Sequence, residues 1–332
     1  MLILRRTDVA HVLSGQELEI VDLVADAYRL HDEGRSSLPH STFLRFPEER
    51  HSRDRIIGLP AYTGGPDPVA GIKWIASFPG NLNEGTERAS ASIILNSLGN
   101  GRPTAFLEGA VVSAKRTAAS AALAARELTS DEPPVSVLLI GCGVINLEIL
   151  RFLAAVLPGL SEAALYDTDP ERAAAFATRC AREVPRVKAH PIDALDAALT
   201  EHRLVSLATT AAEPHMDLTG CGPGTTVLHI SLRDLSADAV LGAVNVVDDA
   251  DHVCRERTSL HLAELAVGHR GFVHATIGGL LRGTASLTRE PDRPVVCSPF
   301  GLGVLDMALA EFVRRRAEEQ GLGIRVDDFL PA

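Results

Sequence analysis

The residues best suited to chemistry fall into two groups. The first is Gly141-Cys142-Gly143-Val144-Ile145-Asn146, which follows the apolar run VSVLLI and opens into NLEILRFLAAVL. Between a strand and a helix, the first glycine permits a tight turn. The second lets backbone N–H groups approach a pyrophosphate at the helix N-terminus. Asn146 stands where a third glycine or alanine is usual, which predicts a slightly wider spacing of helix from strand. Asp167 ends the next predicted strand, AALYD, 24 residues after Gly143. An acid there hydrogen-bonds a ribose 2′-hydroxyl and repels a 2′-phosphate, so NAD is expected in preference to NADP, with Arg172 near enough to matter. Cys142, inside the turn, reads as a small filler rather than a nucleophile.

The second group is cationic: Arg45 in LPHSTFLRFP, Lys73 in AGIKWIASFPGN, Arg88 in ERASA and Arg116 in KRTAASA. Lys73 has apolar neighbours in a predicted strand, where burial demands an anionic partner. Each cation alone reads as a solvated charge or an ion pair. Beside a cofactor unit they form a coherent set for binding carboxylates. Arginine grips a carboxylate through two parallel bonds, and lysine exchanges a proton once its pKa is lowered. Later in the chain, Asp234 in HISLRDLS is either an N-cap for SADAVLGA or a group acting on water. His229 in VLHIS reads as a core histidine, and Ser298 to Gly303 either as a mere helix-start turn or as one whose helix N-terminus faces a nicotinamide or a carboxylate. Ser298 and Gly301 therefore join Gly141, Gly143, Val144, Ile145, Asn146 and Asp167 as cofactor candidates. The twelve histidines contain no HExxH or other compact ligand set, so no metal is expected.

Two kinds of texture must position these residues. Ser14 and Glu17 have capping-box spacing ahead of a helical pattern through Ile20, Val21, Val24, Ala27 and Tyr28. RIIGLPAY, VAGIKWIASF, SASIILNS and AFLEGAVV then read as strands of an antiparallel sheet, and RTAASAALAARELT as a helix leading to a boundary at SDEPP, near residue 131. From Pro134 strands and helices alternate: VSVLLIG, NLEILRFLAAVL, AALYD, PERAAAFATRCAREV, LVSLAT and TTVLHIS. That alternation predicts a parallel sheet covered on both faces, an α/β domain of Rossmann type over 132–299. The final run, LGVLDMALAEFVRRRAEE, places Leu302, Leu305, Leu309 and Phe312 on one helical face and is expected to pack back on the N-terminal part.

Composition narrows the class. A net charge of −11 disfavours nucleic acid and anionic membranes, and aromatics at 4% leave little for base stacking. The five cysteines contain no CxxC pair, and no run of about 18 apolar residues predicts a membrane span. The N-terminus does not read as a signal peptide, so a soluble cytoplasmic protein is expected.

Taken in order, the Arg45 segment, GIKW, RTAA, the GxG turn and SPFGLGVLD resemble the ornithine cyclodeaminase and mu-crystallin family nearly end to end. That resemblance implies a Rossmann domain plus an α+β substrate and dimerisation domain built from both chain ends, 1–131 with 300–332, and a homodimer. It implies that Arg45, Lys73 and Arg116 hold a substrate carboxylate and that Asp234 acts catalytically. PHSTFLRFP, ERASASIILN, LEGAVVSAKRTAASA, GCGVIN and HISLRD are similar to one branch, the N-(2-amino-2-carboxyethyl)-glutamate dehydrogenases. These supply 2,3-diaminopropionate to siderophores such as staphyloferrin B and to peptide antibiotics. Their pathway partner is a PLP-dependent synthase joining O-phosphoserine to glutamate. LSADAV after Asp234 departs from the CPGKTEL-like segment of ornithine cyclodeaminases. Ornithine cyclisation, imine reduction and a mu-crystallin-like binder of cofactor and small ligand are the competing expectations.

Overall fold

The computed structural model describes residues 1–290 and 292–330, and divides the chain into two compact units. Positions 291, 331 and 332 of the expected domains lie outside the described residues. The first unit comprises Met1–Arg116 with Leu302–Ala332, and the second Thr117–Gly301. Where the sequence suggested boundaries at 131 and 300, the first division instead falls at Arg116. It lies within a continuous helix, because the helix begins earlier than its alanine-rich part indicated.

The first unit holds strands β1 (Leu2–Leu4), β2 (Ser36–Ser37), β3 (Thr42–Arg45), β4 (Arg55–Thr63), β5 (Val69–Ser77), β6 (Ala89–Asn96), β7 (Pro103–Glu108) and, from the chain's end, β16 (Ile324–Arg325). Their order is β16-β1-β7-β6-β5-β4-β2, with β3 also on β4. The pairing is antiparallel apart from the parallel pair β1–β7. Helices α1 (Arg6–Leu13), α2 (Glu17–Asp32) and α11 (Gly303–Glu319) belong to this unit, and α3 (Ala110–Leu128) starts in it. Two expectations need correction here. Ser14 caps the C-terminus of α1, and α2 starts after Gln16 with no side-chain cap, so the Ser14–Glu17 box does not form. AFLEGAVV is strand only to Glu108. Gly109 ends the pairing, and the Glu108 carboxylate accepts from the N–H groups of Ala110 and Val111, opening α3.

One face of this sheet is the core. Leu59, Lys73, Ile93 and Leu107 stand directly opposite one another across β4, β5, β6 and β7, and all four are buried. α11 packs on β4, β5 and α2, with Gly303 against Leu59 and Ala61 of β4, Met307 against Gly71 of β5, and Leu305, Leu309 and Val313 buried. The C-terminal helix thus returns to the N-terminal strands, as its apolar stripe implied.

The second unit is an eight-stranded parallel sheet, ordered β10-β9-β8-β11-β12-β15-β13-β14. Its strands are β8 (Ser136–Ile140), β9 (Glu162–Tyr166), β10 (Lys188–Pro191), β11 (Leu204–Leu207), β12 (Thr226–His229), β13 (Val244–Val247), β14 (Val273–Thr276) and β15 (Val295–Ser298). Helices α4 (Val144–Val156), α5 (Pro170–Glu183), α6 (Leu195–Glu201), α7 (Ala237–Leu241), α8 (Ala250–Val253), α9 (Ser259–Val267) and α10 (Ile277–Arg282) connect them. β8, β9 and β10 run outward on one side and β11 and β12 on the other, so strand order reverses between β8 and β11. That reversal opens a crevice at the C-terminal strand ends, where nucleotides bind in such folds. Among the described residues, no helix is long and apolar enough to cross a membrane.

Candidate active site

The cofactor half is built at that reversal. Gly141 adopts φ +92°, and a Cβ there would lie 2.5 Å from the Ala208 carbonyl at the end of β11. Glycine is required. Gly143 is the N-cap of α4 with no side-chain cap and with open space where a Cβ would stand; Val144, beside it, is exposed. The residues therefore fit a pyrophosphate: the helix N-terminus is uncapped and nothing fills the space before it.

Asn146, in the place of the usual third glycine, fills the space between helix and strand with a polar side chain. It is wholly buried, donates from Nδ2 to the carbonyls of Ile140 (2.9 Å) and Gly141 (2.7 Å), and accepts from Ser206 at 2.8 Å. Its side chain binds α4 to β8 and β11 beneath the turn. Asp167 accepts from Cys142 N on Oδ2 (2.9 Å) and from Asp169 N on Oδ1 (3.0 Å), while Arg172 reaches Oδ1 at 3.4 Å. Burial, aided by the Asp167 charge, pushes the Cys142 thiol up to about 12, consistent with an inert filler.

Further along the same edge, Ile140, Leu207 and His229 are in register across β8, β11 and β12, and Ser298 closes β15 alongside. His229 is completely buried, with Nδ1 3.1 Å from Ser298 Oγ and Nε2 3.4 Å from Asp234 Oδ2. Asp234 is also wholly buried and accepts from Thr209, Ser231 and His215 (3.2 Å). Burial pushes its pKa up, yet the hydrogen bonds from His229, Ser231 and Thr209 outweigh that, holding the carboxyl well below the usual range. Gly301, at φ +93°, donates to Asp248 Oδ2 at 2.7 Å, and Phe300 N donates to Oδ1 at 2.9 Å. Sequence reasoning passed over Asp248, which anchors the Ser298–Gly301 turn from the end of β13.

In the first unit, the structure brings Lys73 and Arg116 onto one acid. Lys73 Nζ lies 2.7 Å from Asp306 Oδ2 and 3.2 Å from Ser113 Oγ, and Arg116 Nε lies 3.0 Å from Asp306 Oδ1. Lys73 is 1% exposed and Asp306 fully buried. Asp306 was missed, although an acid within the apolar LGVLDMALA stripe is the signal that would have found it. Burial, then the Arg116 charge, lower the Lys73 pKa to about 8 against the opposing pull of Asp306.

Arg88 and Arg45 are not joined to this cluster. Arg88 donates to Ser77 Oγ at 2.6 Å, and among the described residues no acid pairs with it; burial lowers its pKa. Ser77 shares the Lys73 face of β5, four residues on, or about 13 Å. Arg45 is exposed on β3, opposite Arg55 in register, with its guanidinium over the Phe43 ring.

The family model for the ornithine cyclodeaminase/mu-crystallin family matches residues 2–321. The chain belongs to that family. Within it, N-((2S)-2-amino-2-carboxyethyl)-L-glutamate dehydrogenase of Staphylococcus aureus is 28% identical over 327 residues, 97% of each protein. An archaeal alanine dehydrogenase dimer with bound NAD superposes with a TM-score of 0.85 at 26% identity, covering 99% of each chain. Δ1-Pyrroline-2-carboxylate reductase of Thermococcus litoralis, in complex with NADH and L-proline, superposes with a TM-score of 0.90 at 23% identity, covering 98% of this chain and 100% of its own. The family fold is therefore shared along the whole chain.

Two outcomes follow. NAD should bind more tightly than NADP, and Asp167→Ala should narrow the difference about tenfold or more without lowering the melting temperature much; titration of both cofactors reads this directly. If neutral Lys73 accepts the substrate's proton, kcat/KM should rise about tenfold per pH unit up to about pH 8 and then level. Asp306→Asn removes the only raising influence on Lys73, so that limb should move to lower pH while thermal stability falls.

Proposed function

We propose that this protein oxidatively cleaves N-(2-amino-2-carboxyethyl)-L-glutamate to 2-oxoglutarate and L-2,3-diaminopropionate. It is an NAD-dependent oxidoreductase of amino acids, acting on a CH–NH bond. The observation that carries the finer reading is the charge arrangement on one sheet face. Lys73 and Arg116 meet on the carboxylate of Asp306, and Arg88 stands farther along the same face with no acid paired to it among the described residues. Two cationic stations suit a substrate with well-separated carboxylates better than alanine or proline, which carry one. The end-to-end likeness to the staphylococcal enzyme supports the same substrate.

Bound NAD supplies a hydride acceptor. Arg116 orients a substrate carboxylate, Arg88 takes a distant one, and Arg45 lies exposed at that end of the same sheet face. Neutral Lys73 removes the proton of the substrate ammonium, freeing the nitrogen lone pair that drives hydride loss from the glutamate α-carbon. The resulting imine takes up water and splits at the C–N bond. One substrate, one NAD⁺ and one water give one NADH, one 2-oxoglutarate, one diaminopropionate and one proton. The diamino acid would feed siderophore or peptide-antibiotic assembly, and a PLP-dependent synthase would supply the substrate. Five free thiols accord with a cytoplasmic setting.

We assign the protein as a homodimer. The sheet face opposite Lys73 is apolar and bare: Leu44, Tyr62, Trp74 and Phe106 are each at least 36% exposed. The Trp74 ring lies over Gly58 on this face, where a Cβ would meet it at 3.3 Å. A contiguous apolar sheet face of this kind marks an interface, and the archaeal relative is a dimer by its description.

Incubation of the glutamate adduct with NAD⁺ should yield NADH, 2-oxoglutarate and 2,3-diaminopropionate in equal amounts. Ornithine should give little proline, since cyclisation returns the hydride and accumulates no NADH. Proline without NADH would replace the dehydrogenase with a cyclodeaminase. Trp74→Glu should convert the dimer to a monomer in light scattering, and an unchanged mass would remove this face as the interface.

A further inference from the structure

We infer that His215 is a second catalytic group: the solvent-facing base that activates water for imine hydrolysis, held in register by Asp234. The inference rests on the preceding reading for the identity of the step. It starts from what Asp234 cannot do. An ionised carboxylate accepts about four hydrogen bonds. Thr209, Ser231 and His215 donate to this one, His229 Nε2 lies at 3.4 Å, and the side chain has no solvent exposure. The carboxylate is sealed from solvent, so an attacking water does not reach it. Asp234 is a positioning residue.

Of the groups around it, His215 is the one built to carry the proton outward. Its side chain is 46% exposed, yet the residue is firmly fixed. Nε2 lies 3.2 Å from Asp234 Oδ1, and the backbone N–H groups of His215 and Met216 both donate to the Asp234 carbonyl at 2.9 Å. Ser236 N donates back to the Met216 carbonyl at 3.0 Å. A histidine held at both main chain and ring is oriented for a purpose that an ordinary surface histidine lacks. With Nε2–H donated to the carboxylate, Nδ1 keeps its lone pair, and among the described residues no protein group bonds to it. This is the logic of a carboxylate that sets a tautomer and steadies the imidazolium that forms.

The location agrees. Thr209, one of the Asp234 donors, is packed against Gly141: a Cβ on that glycine would stand 3.3 Å from Thr209 Cα. The dyad thus lies on the strand edge that carries the cofactor turn. In the step itself, the water oxygen bonds to the carbon of the protonated imine that hydride loss leaves and the C=N π pair moves to nitrogen, while the water proton passes to Nδ1. That proton then goes to nitrogen as the C–N bond breaks with its pair on nitrogen. The hydroxyl O–H pair becomes the ketone π bond, and the hydroxyl proton leaves to solvent. One water is consumed and one proton released, matching the overall reaction.

The test separates the two half-reactions in the intact enzyme. His215→Ala should lose about 100-fold in steady-state turnover of the glutamate adduct. It should keep NAD affinity and a single-turnover burst of NADH, and added imidazole should restore turnover. Unchanged turnover, or burst and turnover falling together, would overturn the assignment. A wild-type enzyme that releases no 2-oxoglutarate from the adduct would instead overturn the substrate reading. In that event long-range 1H–15N spectra decide the dyad alone: a neutral His215 with its proton on Nε2 supports it, and a proton on Nδ1 sinks it.

Discussion

The buried carboxylate of Asp306 is the interaction on which the first unit turns. An acid with no solvent exposure must be neutralised, and here the two partners come from elements far apart in sequence: Lys73 on β5 and Arg116 on α3. The C-terminal helix is thereby bound to the N-terminal sheet through charge as well as through Gly303 and Met307, which lie against β4 and β5. Removing Asp306 leaves Lys73 and Arg116 buried without that anion, which costs several kcal/mol, about 3–5 in comparable cases. The same geometry creates the chemical resource. Two cations facing one anion, out of water, depress the lysine toward neutrality near working pH and hold the guanidinium at a fixed angle.

The second unit solves a different problem, that of holding loops at the ends of parallel strands. Strand ends expose carbonyl and N–H groups that the sheet no longer pairs, and two buried side chains deal with them while a third ties the loop hydroxyls together. Asn146 satisfies the carbonyls of Ile140 and Gly141, Asp248 satisfies the N–H groups of Phe300 and Gly301, and Asp234 gathers the hydroxyls of Thr209 and Ser231. Each turn at this edge is therefore fixed from beneath, which leaves Gly143 and Val144 exposed above it.

How much of this was legible follows from the kind of signal involved. The GxG turn was readable because its strand, turn and helix are contiguous, and Lys73 because a charge interrupts an apolar strand. The pairing Lys73–Asp306–Arg116 was not, since nothing local says that residue 306 meets residue 73. The strands Lys188–Pro191, Val244–Val247 and Val273–Thr276 escaped because four-residue runs such as KAHP and VHAT carry little periodicity; their place comes from neighbours in the sheet. AVV after Gly109 looked like strand by its β-branched residues, but the Glu108 cap decided for helix. His215 had no signal of its own. Only the fold brings the loop after β11 against the loop after β12.

The acids of the second unit also show why a residue's position in a family motif does not by itself give its role. Asp234 and Asp248 both follow parallel strands and are both buried. Burial raises Asp248 to about 6, because the backbone N–H groups of Gly301, Phe300 and Asp249 only partly offset the loss of water. Asp234 moves the other way, because two hydroxyls and a histidine donate to it and together exceed the same penalty. An acid stabilised so far toward its ionised form is a poor proton acceptor, since taking a proton would forfeit those bonds. Its strength lies in fixing what donates to it. Among those donors, Thr209 and Ser231 end at the carboxylate, and His229 is sealed from solvent. His229 turns its second nitrogen onto Ser298 within the core, whereas His215 combines a second ring nitrogen with a solvent-facing side chain, which is why the proton route is assigned to that ring.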